Sequence, residues 1–103
     1  MKTAVVLIAL LVPASALLAA DAKAGAAAFD KSCKGCHGAA GVPNPAMAKM
    51  FPTIPDLTSA KAQGISDADI KKAIAEGKGK MPAVKNLSGS PDDVVAFVRS
   101  LKK

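Results

Sequence analysis

Cys33-Lys34-Gly35-Cys36-His37 is the stretch on which the reading of this chain turns. Two thiols separated by two residues can add across both vinyl groups of one haem, and a histidine next in sequence is then held directly under the iron. Attachment and ligation come from one pentapeptide. The chain has no other cysteine and no other histidine, and this argues against the other uses of a CxxC pair. A structural zinc site needs four ligands, and there is no second pair to supply them. A thioredoxin-like site sits at the start of a helix after a strand, and no strand pattern precedes Cys33. A disulfide across so short a loop would restrain almost no chain.

Upstream of the motif, Met1-Lys2 gives a positive start, residues 4–12 are an uninterrupted apolar run, and residues 13–20 are mostly small. This is the pattern of a secretory signal, expected to span residues 1–20 with the cut after Ala20. Ala22 and Ala14-Ser15-Ala16 offer later and earlier alternatives. Nine apolar residues before Pro13 are too few for a membrane anchor, since crossing hydrocarbon takes about 20. No stable membrane insertion is therefore expected, and the destination is the periplasm. Residues 21–103 remain as one domain with three Phe and neither Trp nor Tyr. A chain this small is marginal without a staple, so a cofactor is expected to fill the middle.

The chain carries 14 Lys and Arg against 8 Asp and Glu; loss of Lys2 with the signal leaves 13 against 8, a net charge of +5. No run of like charges or basic-aromatic platform accompanies this excess, which excludes the usual nucleic-acid binders. A positive surface on an exported protein suits encounter with an acidic partner or an anionic membrane face.

The remaining elements read as helices and loops. Asp21 can cap a helix reaching about Lys31, with Ala22, Gly25, Ala26 and Phe29 on one face. Pro43, Pro45, Pro52 and Pro55 forbid a long element over residues 38–55, although Asn44-Pro45 can start a turn or two that puts Met47, Met50 and Phe51 on one side. Ser66 caps a helix ended by Gly77, its apolar face carrying Ile70, Ala73 and Ile74. Ser90, with Pro91 at the first position and Asp92-Asp93 in the first turn, starts a final helix whose Val94, Phe97, Val98 and Leu101 form a stripe. No alternating strand pattern occurs. The expected architecture is all-α, with three or more helices and long loops.

With His37 on one face of the iron, the second axial ligand comes from elsewhere, and since no other histidine exists methionine is the natural candidate. Met47 and Met50 read as adaptable core filler. Met81 stands alone between Lys80 and Pro82 in a glycine-rich loop, unexplained by any core stripe, and is the preferred ligand, with Met50 next.

Together, the Cys33–His37 pentapeptide, Met81-Pro82 further along and the amphipathic terminal helix resemble a short bacterial class I cytochrome c across residues 21–103. The resemblance implies one haem c wrapped by crossed first and last helices, a small residue of one fitting an aromatic of the other; Gly25 and Phe97 occupy those places. It also implies that a loop proline, Pro43, Pro45 or Pro52, accepts a hydrogen bond from the ring N–H of His37. Many relatives place Tyr or Trp near the haem propionates or on the last helix, and this chain departs from them in having neither.

The expected cofactor-binding residues are Cys33 and Cys36 as thioethers, with His37 and Met81 as axial ligands of the iron. A closed iron carries electrons and does little bond chemistry, so the expected function is single-electron transfer between redox protein partners and not enzyme catalysis. Lys31, Lys34, Lys49, Lys78, Lys80 and Lys85 are candidates for a ring that docks a monomer onto an acidic surface. A small haem peroxidase or ligand sensor would instead require Met81 to be off the iron.

Overall fold

The computed structural model describes residues 20–103; the expected signal segment, Ala20 apart, lies outside the described residues. Among these there are six helices and no strand: α1 (Ala22–Ser32), α2 (Lys34–His37), α3 (Pro45–Met50), α4 (Ala60–Gln63), α5 (Asp67–Glu76) and α6 (Pro91–Ser100). None is long and apolar enough to cross a membrane.

Side-chain caps start almost every element. The Asp21 carboxylate accepts from the amides of Lys23 and Ala24, and Asn44, Ser59, Ser66 and Ser90 each accept from an amide of their own first turn. Each such cap is worth ~1 kcal/mol. Helix α4 is the element that periodicity missed. It has a cap at Ser59 and a stop at Gly64, but four residues are too few to display a period.

The first and last helices make the most extensive packing in the fold. At their crossing the backbones touch: a Cβ on Gly25 would lie 1.8 Å from the Asp93 carbonyl oxygen and 2.5 Å from its carbon. The Asp21 amide donates to Asp93 Oδ1 at 2.8 Å beside it. Gly25 lies on the Asp93–Val94 backbone, and Phe97, one turn further along α6, stacks on Phe29 with ring centroids 4.9 Å apart.

The core is thin. Ala28, Phe29, Cys33, Ile74, Val94 and Val98 form its main cluster, with Leu57, Ile70, Val84 and Leu87 packed at its border, and Phe29 is the one aromatic among the buried residues. Polar clamps hold the loop over residues 57–67 to α6. Arg99 donates to the carbonyls of Gln63 (2.7 Å) and Ile65 (2.5 Å) and to Asp67. Gln63 Nε2 donates in turn to the carbonyls of Leu57 (2.7 Å) and Val98 (2.8 Å).

Candidate functional site

Cys33 ends α1, donating its amide to the Phe29 carbonyl, and also opens α2. The one-turn helix that follows carries Cys36 and His37. This junction buries the Cys33 side chain and leaves Cys36 exposed. The His37 ring sits 6.4 Å from that of Phe29, centroid to centroid, so the Phe29–Phe97 stack backs the imidazole.

All three residues line one cleft of about 1390 Å³, and Met81 lines the same cleft. Small-molecule pockets usually run to ~1,000 Å³ at most, so the space is large for so short a chain. Its walls are mainly apolar, including Phe51, Ile54, Leu57, Ile65, Ile70 and Val84. The structure thus brings together the four residues singled out from sequence. Met47 and Met50 do not line the cleft. Nor is Met50 the core filler expected: it ends α3 with 61% of its surface exposed, because so short a helix has no neighbouring element over that side.

Burial shapes the chemistry of two of these groups. It pushes the Cys33 thiol up, with a smaller push from the charge of Cys36, so Cys33 stays S–H at neutral pH. It also lowers His37 below the ordinary imidazole value, leaving a neutral ring with a free lone pair. His37 Nδ1 is buried without a hydrogen-bond partner. The proline carbonyl implied by the resemblance is therefore not on it; Pro52 lines the cleft, whereas Pro43 and Pro45 do not. An orphaned buried nitrogen costs ~1–3 kcal/mol.

Polar groups gather in part of the lining. Lys61, Lys78 and Lys80 are its cations, and Asp56 and Asp69 its acids. Asp56 is committed to structure: its carboxylate accepts from the Thr58 hydroxyl (2.5 Å) and amide (2.8 Å), which hold it below its usual range. Lys61 escaped the sequence reading because it belongs to α4. No group of three His, Cys, Asp or Glu side chains among the described residues could hold a bare metal ion. Two thiols, a neutral imidazole and a thioether around a large apolar cleft fit a haem instead. The thiols can attach it, and the imidazole and thioether can bind its iron.

No curated protein matches the chain. A family model does, over residues 20–99, and it is described as cytochrome C oxidase, cbb3-type, subunit III. That span takes in every described helix except the last residue of α6, and with the cleft it leads to one conclusion: the chain belongs to the cytochrome c family of haem-binding electron-transfer proteins.

Proposed function

We propose that residues 21–103, freed of residues 1–20 by signal peptidase after Ala20, act in the periplasm as a monomeric single-electron carrier with one covalent haem. Cys33 and Cys36 attach it, and His37 and Met81 are its axial ligands. One observation carries this reading: the four side chains line a single, mainly apolar cleft of about 1390 Å³.

A haem iron held on both faces cycles between ferrous and ferric states with no position open to substrate. Each cysteine S–H adds across a vinyl C=C, sulfur to one carbon and hydrogen to the other, so attachment needs no oxidant. His37 offers a neutral nitrogen, backed by Phe29. Met81 supplies a thioether, which favours the ferrous state. The apolar walls exclude water and disfavour the extra charge of ferric iron, so a raised potential follows.

The test is a pyridine haemochrome spectrum with intact mass, on protein matured by a cytochrome c assembly system. One haem and a chain starting at Asp21 are expected; a chain without haem contradicts the reading. Met81→Ala should abolish the methionine-to-iron charge-transfer band and admit cyanide and carbon monoxide. Retention of the band would remove Met81 from the iron, and ready ligand binding by the unmodified protein would favour a peroxidase or sensor.

The partner is a redox protein with an acidic docking surface. Lys31, Lys34, Lys49, Lys78, Lys80 and Lys85 are all exposed. Lys78 and Lys80 line the cleft itself, while Lys34 is partly engaged by Asp30 at 3.1 Å. Electron-transfer rates should fall severalfold between 10 mM and 200 mM salt as the Debye length shrinks from ~30 Å to below ~10 Å. Rates indifferent to salt would argue against the ring. The description of the matching family favours a second reading, a haem-bearing subunit of a larger oxidase. Co-purification with such a complex distinguishes the two.

A further inference from the structure

The Met81 side chain is presented by a compact return from α5. The Lys78 amide donates to the Met81 carbonyl and the Met81 amide to the Lys78 carbonyl, both at 2.9 Å, closing a two-residue turn over Gly79-Lys80. Gly79 has φ +58, and among the described residues no non-glycine residue has positive φ, the pattern of a turn that needs glycine first. Gly77, the residue that stops α5, has φ +79.

Both glycines hold a conformation that strains an L-residue, but their surroundings differ. A Cβ on Gly79 would meet nothing within 4 Å. A Cβ on Gly77 would lie 2.6 Å from the Met81 carbonyl oxygen, 2.9 Å from the Ala83 nitrogen and 3.2 Å from the Pro82 carbonyl carbon. Three successive residues of backbone thus rest on the bare Cα of Gly77. Beyond them, the Val84 amide donates to the Ile74 carbonyl at 2.8 Å, pinning the segment back onto α5.

We propose that Gly77 is a positioning residue for Met81. Its missing Cβ seats the 81–83 backbone against the end of α5, and this seat, more than the turn over Gly79-Lys80, sets how far the Met81 thioether reaches toward the iron. The inference rests on the Met81 ligation proposed above. A methyl group at Gly77 has only main-chain atoms in front of it. Main chain cannot rotate aside as a side chain can, so the displacement passes to Met81.

The haem-loaded, full-length protein carrying Gly77→Ala or Gly79→Ala tests this. Both changes add the strain of positive φ, and only the first adds the push. Gly77→Ala should lose most of the methionine-to-iron charge-transfer band and bind imidazole about tenfold more tightly or better. Gly79→Ala should stay within about twofold of the parent in imidazole affinity and keep the band. Equal behaviour of the two variants, or an intact band in Gly77→Ala, overturns the proposal. Should Gly77→Ala fail to mature, Val84→Pro replaces it: loss of the donor to Ile74 should weaken the band, and an unchanged band overturns the proposal. If Met81→Ala keeps the band, the ligand reading itself has failed. If Met81→Ala loses it while Gly77→Ala matches Gly79→Ala, only the positioning role has.

Discussion

Replacing both Cys33 and Cys36 by Ala should leave a largely unfolded chain. A cluster of six buried residues forms most of the core, Phe29 is the one aromatic among them, and the cleft they border measures about 1390 Å³. Without haem its mainly apolar walls face water, at ~25 cal/mol for each Å² left uncovered. A domain of this length has only roughly 4 to 12 kcal/mol of total stability. The empty fold therefore has to collapse or open. Far-UV circular dichroism should show most helix lost, and heating should produce no cooperative transition. A sharp transition in the double variant would show that the protein supplies more of its own core than the cleft suggests.

Gly25→Ala is expected to have the next largest effect. The added methyl would stand 1.8 Å from the carbonyl oxygen of Asp93, far inside contact distance, and both obstacles are helix backbone. Relief requires α1 and α6 to separate, which would break the Asp21–Asp93 hydrogen bond and the Phe29–Phe97 stack. Ordinary overpacking costs ~1–3 kcal/mol because side chains can shift; here the loss should reach or exceed ~3 kcal/mol. Thermal or denaturant unfolding of the haem-loaded variant measures it. A change under ~1 kcal/mol would mean that the helices slide past one another more freely than this crossing allows.

Where local chemistry decided a feature, the residues announced it. Ser90-Pro91-Asp92-Asp93 marked the start of α6, and Val94, Phe97 and Val98 its inward face. Ser66 and Gly77 bounded α5. Met81 stood out because no apolar stripe accounted for it, and it does line the cleft that holds His37. What depended on residues distant in sequence stayed hidden. Gly25 promised a close crossing, but not that Asp93 backbone would fill it and leave Phe97 to Phe29. The side of α3 on which Met50 falls depends on what packs over so short a helix. Lys61 reaches the cleft from a four-residue helix without a period. That His37 Nδ1 would be left without a partner by all three candidate prolines had no signal in the sequence.

The contact between Gly25 and Asp93 joins positions 68 residues apart. Closing so long a loop is slow and entropically costly, and synthesis from the N-terminus delivers α6 last. Until it docks, Cys33 and Cys36 lie on an open strip of chain. Afterwards Cys33 is only 8% exposed while Cys36 still faces solvent. Val94 and Val98 of α6 line the same cleft as both thiols, so the cleft takes its final shape only when the chain ends meet. The crossing is a late clasp: the last helix to be made is the one that completes the wall facing Cys33, Cys36 and His37.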